Sequence, residues 1–210
     1  MKLSKGNLYI ITAASGAGKT SLVKAVVNEH PNIKVSISFT TRPPRSGEID
    51  GRDYFFIDES TFRIMVKNQE FLESAKCHGA FYGTSKSTVK KVIEKGEDII
   101  LEIDYQGASS VKKLFPDSIS IFIIPPSIKT LENRLNKRGQ DSKENIKLRI
   151  TAARNEMSHL ENFDYVTIND NFEKALYELK AIIKSKPEAN KFKTEEQILN
   201  HKDLIEELQK

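Results

Sequence analysis

The 210-residue sequence predicts a doubly wound α/β fold, a parallel sheet layered with helices on both faces. Three observations predict it. Short apolar runs alternate with helix-length amphipathic stretches. Several of the runs are continuous rather than alternating, as in strands buried on both sides. The first of them passes through a glycine-bearing loop into a helical pattern. A chain of this length suits one domain, burying about 70% of its extended-chain surface.

The expected strands are LYIIT (8–12), IKVSISF (33–39), DIILEID (98–104), SISIFII (118–124) and YVTIND (165–170). Helices are expected over 18–29, 85–95, 107–114, 127–137, 143–160 and 171–185. The interval 40–84 breaks this rhythm: TTRPPRSGEIDGRDYFFID is rich in turn residues and FLESAKCHGAFYGTS has the pattern of a hairpin. It is expected to be a small inserted subdomain.

Composition narrows the function. The chain is 38% hydrophobic and 30% charged, and no apolar run approaches the roughly 20 residues that cross a bilayer. The start, MKLSKGNLYIIT, has no small-residue cleavage site, so a cytoplasmic protein without a secretory leader is expected. One cysteine, Cys77, allows no internal disulfide, and the histidines at 30, 78, 159 and 201 have no ligand-like spacing with it. A metal held by protein groups alone is not expected. The net charge is +4, but the 25 lysines are scattered among glutamates as on a solvated surface, with no basic run of five and no RNA-binding signature. Nucleic acid is therefore not the expected partner. Of the eight arginines, Arg42, Arg45, Arg134, Arg138 and Arg149 fall in two short segments, and arginine holds phosphate bidentately. Small polyanions fit this distribution.

The stretch IITAASGAGKTSLVKAVV (10–27) explains where one polyanion would sit. After a buried strand, Ala14, Ser15, Gly16, Ala17, Gly18, Lys19, Thr20 and Ser21 form a phosphate loop whose backbone N–H groups meet oxygens at a helix N-terminus. Gly16 and Gly18 let the main chain bend and approach. Lys19 reaches the β- and γ-phosphates, and the Thr20 hydroxyl ligates magnesium. Ala13 stands where such loops usually begin with glycine, which is admissible if its φ is negative. The bland alternative is a glycine turn capping a helix.

A second constellation follows in SISFTTRPPRSGEIDGRDYFF, where a hydroxyl-bearing strand runs into Arg42 and Arg45 on a proline-stiffened turn. With the loop, the hairpin EFLESAKCHGAFYGTS and the strand ILEIDYQG, the chain resembles guanylate kinase from about residue 5 to residue 185. The resemblance implies a P-loop kinase fold, three-layer αβα. Within it come a core (1–37, 85–135 and 150–186), a mixed α/β GMP-binding insert (38–84), a helical lid (136–149) and a tail (187–210). It further implies ATP:GMP phosphotransfer in purine metabolism, by a monomer or homodimer. Ser38, Arg42, Arg45 and Tyr54 match the positions around the GMP phosphate and adjoining base, and Glu73, Tyr82, Thr84 and Asp104 those completing the GMP pocket. Glu102 matches the acidic residue near Mg2+, held partly through water. Arg134, Arg138 and Arg149 match the lid arginines that close over the triphosphate and, with Lys19 and Arg45, make the catalytic set. Asn169 matches a residue beside the adenine.

The chemistry demands such a set. Transfer between two phosphates sets roughly six negative charges against one another and needs donor and acceptor in line, with little covalent work for the protein. Water must also be shut out, which is the use of a lid.

Each residue has a plainer alternative. Glu102 as a strand-end surface carboxylate, Tyr54 and Tyr82 as core cover, and Arg42 and Arg45 as turn residues paired to Glu48 or Asp50 all remain open at this point. Two other functions compete: an interaction module that has lost catalysis, opposed by the presence of Lys19, Thr20 and the lid arginines, and another P-loop kinase or ATPase. In the tail, Ile198, Leu199, Leu204, Ile205 and Leu208 are expected to form one helical face that docks on its own domain, with a dimer contact as the alternative.

Overall fold

In chain order, β1 (Leu8–Ala13) leads through the glycine loop into α1 (Lys19–Glu29), then β2 (Ile33–Val35), β3 (Phe39–Thr40), β4 (Phe55–Phe56), α2 (Glu59–Lys67), β5 (Phe71–Cys77) and β6 (Ala80–Ser85). Next come α3 (Lys86–Glu94), β7 (Asp98–Glu102), α4 (Tyr105–Leu114), β8 (Ile119–Ile124), α5 (Ile128–Arg138) and α6 (Lys143–Met157). The chain closes with β9 (Tyr165–Ile168), α7 (Phe172–Ile183), α8 (Thr194–Asn200) and α9 (Lys202–Gln209). The computed structural model describes residues 5–77, 79–138, 142–185 and 187–210, except for the side chains of Cys77 and Arg138. His78, residues 139–141 of the expected lid and the Arg138 guanidinium thus lie outside the described part.

Contacts divide the chain into two compact units. The first takes the chain up to Tyr9 and Asn32–Ser118, the second Ile10–Pro31 and everything from Ile119 on. The five-stranded sheet has the order β2-β7-β1-β8-β9, β1 being the strand that both units share.

In the first unit β2 and β7 pair in parallel, Ile33 opposite Asp98 and Val35 opposite Ile100. Ile99, Ile100 and Leu101 are buried one after another, which explains why this strand reads as a continuous apolar run. A smaller sheet of order β4-β3-β6-β5 makes the insert, with β5 and β6 forming the expected hairpin. Its core is aromatic: Phe62 stacks on Phe71 at 4.6 Å and on Phe81 at 5.5 Å, and Phe39 on Phe55 at 4.8 Å. Gly83 is required beneath this cluster, since a Cβ there would come within 2.8 Å of the Phe71 ring.

Two strand expectations need correcting. IKVSISF is not one strand: Ile33–Val35 pairs in the large sheet, whereas Phe39–Thr40 pairs antiparallel with β6 and parallel with β4. Ser36 to Ser38 carry the chain from one sheet to the other, a turn that alternating apolar residues do not signal. DIILEID ends two residues early because Asp104 turns its carboxylate back to accept the Gly107 N–H at 2.8 Å and so caps α4.

In the second unit β8 and β9 run parallel, and Ile121 to Ile124 are all fully buried. Each such side chain contributes about 1.5–3 kcal/mol of burial. Helix α1 packs against α7, and α5 against α6. Ser142 and Asn171 cap α6 and α7 through the N–H groups of Asn145 and Lys174.

The tail docks on its own unit. Lys193 bridges antiparallel to Tyr165 in β9, the Thr194 hydroxyl donates to the Phe163 carbonyl at 2.6 Å, and α9 lies on α6 with Ile205 and Leu208 buried. The expected single apolar face is broken. Leu199 is 77% exposed because the helix stops at Asn200 and α9 starts anew at Lys202. Leu208→Ala should destabilise the protein by about 2 kcal/mol or more, read as a lower urea midpoint with an unchanged m-value. No loss would mean that this helix is not held in the core.

Candidate active site

The phosphate loop belongs to the second unit and starts where β1 ends. Ala13 lies in ordinary backbone, as Gln69 and Ser185 are the non-glycine residues with positive φ among those described. Gly16 and Gly18 have φ of +95° and +102°, a region that side chains avoid. Space demands glycine as well. A Cβ on Gly16 would sit 2.9 Å from Leu131 Cδ1 and one on Gly18 2.5 Å from Asn169 Nδ2. Gly18 is the N-cap of α1 and no side chain caps this helix. The positive end of the helix dipole lies here, and it favours an anion.

Residues distant in sequence brace the loop. The Ala17 carbonyl accepts from Asn169 Nδ2 at 2.6 Å and Arg134 Nη1 at 3.3 Å, while Arg134 Nη2 donates to the Asn169 carbonyl at 2.9 Å. Arg134, expected over the triphosphate, is thus tied to the base of the loop in this structure. Arg149 donates from Nε and Nη2 to the Ser15 hydroxyl at 3.1 and 2.9 Å. Beside the loop lies a cleft of about 380 Å³ lined by Gly16, Gly18, Ser21, Arg134, Asn169 and Phe172, among others. Lys19 and Thr20 open α1 at its N-terminus, and Ser21 follows them.

The residues expected around GMP all belong to the first unit. Glu73, on β5, is 7% exposed and accepts the Thr84 hydroxyl from β6 at 2.6 Å. The α4 N-terminus approaches the same carboxylate so closely that a Cβ on Gly107 would lie 2.7 Å from Glu73 Oε2 and 3.4 Å from Asp104 Oδ1. Two carboxylates therefore converge on one helix N-terminus, where the dipole steadies them. Around them, the Tyr54 and Tyr82 rings meet edge to face at 6.0 Å, and Arg42 lies 5.5 Å above the Tyr54 ring. Burial raises the Tyr54 hydroxyl above its usual range, with Tyr82 and Glu102 adding to the shift.

Arg42 is paired with Glu48 within its own turn. Its Nη2 is shared by both Glu48 oxygens at 2.8 and 3.0 Å, and Nη1 donates to the Pro43 carbonyl at 2.6 Å. Arg45 donates only its backbone N–H to Glu48, at 2.7 Å, and is exposed. Burial alone would raise the Glu48 carboxyl, but the Arg42 and Arg45 contacts outweigh it and hold it below its ordinary value. Ser38 lies half-buried just before β3, and Glu102 half-buried at the end of β7.

Sequence reasoning missed Glu156, which accepts the Ser15 N–H at 2.9 Å, and Gly107. A signal for the first existed. Arg149 and Glu156 are seven apart, two turns of one helix, and so share a face.

A strand-to-helix phosphate loop on an α/β sheet, in a chain that also carries an inserted mixed sheet, defines the P-loop kinases as a class. Comparison narrows it further. A family model described as guanylate kinase matches residues 5–186. A guanylate kinase of Methylobacillus flagellatus is 54% identical over 204 residues, covering 97% of this chain and 99% of the relative. One from Psychrobacter arcticus is 57% identical over 178 residues, 85% and 86% of the two chains. The crystal structure of guanylate kinase from Anaplasma phagocytophilum superposes with a TM-score of 0.74 at 29% identity, covering 96% of each chain. The chain belongs to the guanylate kinase family.

Two expectations follow from this geometry. Gly107→Ala should push Glu73 aside and raise the KM for GMP about tenfold while leaving that for ATP unchanged; steady-state kinetics in both substrates decides it. The second concerns acid. Because the folded Glu48 carboxyl lies below its ordinary 4.5, its stabilisation is present above that pH and is lost as pH falls through the depressed folded value. Glu48→Gln should therefore show a shallower loss of stability below about pH 4.5 in thermal melts. An identical acid limb in the two proteins would contradict it.

Proposed function

We infer that the chain transfers the γ-phosphoryl group of ATP to a phosphate oxygen of GMP, giving ADP and GDP, and that dGMP, with the same base edge and phosphate, is also accepted. The observation that carries the acceptor is the meeting of Glu73 and Asp104 at the α4 N-terminus. Guanine offers two donors side by side, N1–H and the 2-amino group, next to the O6 acceptor. Paired carboxylates complement the donors. They would face a lone pair at N1 of adenine, and leaving buried polar groups unmatched gives discrimination of order ~10⁴ to 10⁵.

Thr84 is assigned to the GMP pocket through the Glu73 carboxylate that it touches. Its one proton is committed to Glu73, so it orients that carboxylate and Ser38 is left as the hydroxyl for O6. Tyr54, Tyr82, Arg42 and Arg45 are assigned to the base and phosphate of GMP in the insert, 38–84. On the donor side, the loop from Ala14 to Ser21 and Asn169 are assigned to ATP.

The β,γ-bridging oxygen leaves with ADP as the GMP phosphate oxygen bonds to the γ-phosphorus. Lys19, Arg45, Arg134, Arg138 and Arg149 are assigned to neutralising the charge that gathers in between. The lid, 136–149, carries two of them and excludes water.

Among the described residues no three His, Cys, Asp or Glu side chains converge as a metal cage. The Thr20 hydroxyl and the Glu102 carboxylate are each assigned to Mg2+ by chemical type, since this ion takes few protein ligands and is completed by phosphate oxygens and water. Bound there, it would draw charge from the β- and γ-phosphates. The working place inferred for this chemistry is the cytoplasm, among the nucleotide pools. No helix of the described residues is long and apolar enough to cross a membrane.

The test is ADP release with AMP, GMP, CMP, UMP and dTMP as acceptors. GMP alone should be efficient, and AMP should be slower by several orders of magnitude. Glu73→Gln, which replaces acceptor capacity with a donor, should raise the KM for GMP far more than that for ATP. Comparable turnover of AMP, or an unchanged GMP KM in the variant, would refute the base assignment. Efficient use of another acceptor would move the chain to a different specificity, and ATP hydrolysis with no acceptor to an ATPase.

A further inference from the structure

Ser15 is held twice, by two residues of one helix. Its hydroxyl accepts from Arg149 Nε and Nη2, and its backbone N–H donates to Glu156 Oε2 at 2.9 Å. Arg149 and Glu156 stand two turns apart on α6. The peptide planes on either side of Ala14 are also held, for Ala14 N–H donates to the Ile123 carbonyl at 3.2 Å and Ala17 N–H to the Ala14 carbonyl at 2.8 Å.

A carboxylate beside a polyphosphate loop calls for explanation, because its charge opposes the ligand. Its cost is limited here by Arg149 on the same serine. What the carboxylate gives in return is direction. An acceptor on the Ser15 N–H fixes the Ala14–Ser15 peptide, and hence the direction from which the chain approaches the two positive-φ glycines.

The helix is itself held. The Arg154 guanidinium donates to the Glu207 carbonyl at 3.4 Å, Gln209 Nε2 donates to the Met157 carbonyl at 3.1 Å, and Ala153 and Met157 are fully buried. The turn that bears Glu156 is therefore anchored by the C-terminal helix α9.

We propose that Glu156 is a positioning residue of the phosphate loop: its carboxylate, held on α6, orients the Ser15 peptide so that the following N–H groups converge on the ATP phosphates. It touches no reacting atom. The role depends on its capacity to accept a hydrogen bond and not on its charge. The inference rests on ATP being held by this loop, and the experiment keeps the two apart.

KM and kcat are measured for each substrate, with ATP binding titrated directly, in wild type, Glu156→Ala, Glu156→Met and Glu156→Gln. Wild type binding ATP is the reading beneath the proposal, and its failure would remove both. Removing the acceptor should raise the KM for ATP about tenfold or more, with the GMP KM within about twofold. Met fills the volume without accepting, so it keeps the test alive if Ala does not fold. Gln keeps an acceptor oxygen at the same reach and should stay within about threefold of wild type for ATP. A Gln variant as impaired as Met, an unchanged ATP KM in Met, or equal damage to both substrates would overturn the proposal.

Discussion

Everything in the donor half follows from one constraint: a polyphosphate can be gripped by backbone N–H groups only where the chain has no side chains in the way. At the exit of β1 this is met by Gly16 and Gly18, both at positive φ. The space they leave is used. Leu131 and Leu135 close on Gly16, and the Asn169 amide closes on Gly18 and bonds the Ala17 carbonyl. Helix α5, the end of β9 and helix α6 are thus packed to the shape of a loop of bare backbone, with Arg134, Asn169, Arg149 and Glu156 among the polar contacts to it. A Cβ at either glycine would disturb the ligand site and its supports together.

The first unit solves the opposite problem, that of holding two carboxylates close together. Glu73 and Asp104 would repel each other if bare. Each is instead hydrogen-bonded, Glu73 by Thr84 and Asp104 by the Gly107 N–H, and both lie at the positive end of α4. Capping and recognition are the same act here, because the residue that starts α4 is one of the two that face the guanine edge in the proposed reading. The positive side is similarly restrained: Glu48 and the Pro43 carbonyl hold the Arg42 guanidinium against Tyr54, so its plane is set by protein groups.

The residues assigned to ATP and to GMP are sorted by unit, donor residues in the second and acceptor residues in the first. The tail belongs to the donor half, since α9 packs on the helix that carries Arg149 and Glu156. The family match spans residues 5–186, so a segment beyond it is packed on the helix that contacts the loop.

The sequence by itself determined the α/β class, the loop and the hairpin, because these depend on short-range patterns: buried runs, two glycines before Lys19, and turn residues at 78–79. It also supplied the residue types around each nucleotide. Tertiary structure alone decided their partners. That Thr84 spends its proton on Glu73, that Arg134 ties the Ala17 and Asn169 carbonyls, and that Arg42 is paired to Glu48 are matters of which donor reaches which acceptor first. The same holds for the break in IKVSISF, where Ser36 to Ser38 leave one sheet for another with no local signal. Glu156 is the clearest case. On a sequence it is one acid among 29 acidic residues, and only the packing of α6 onto a loop 141 residues earlier places its carboxylate on the Ser15 N–H. Local pattern fixes what a segment can become, whereas hydrogen-bond geometry between distant segments exists only once the chain has folded.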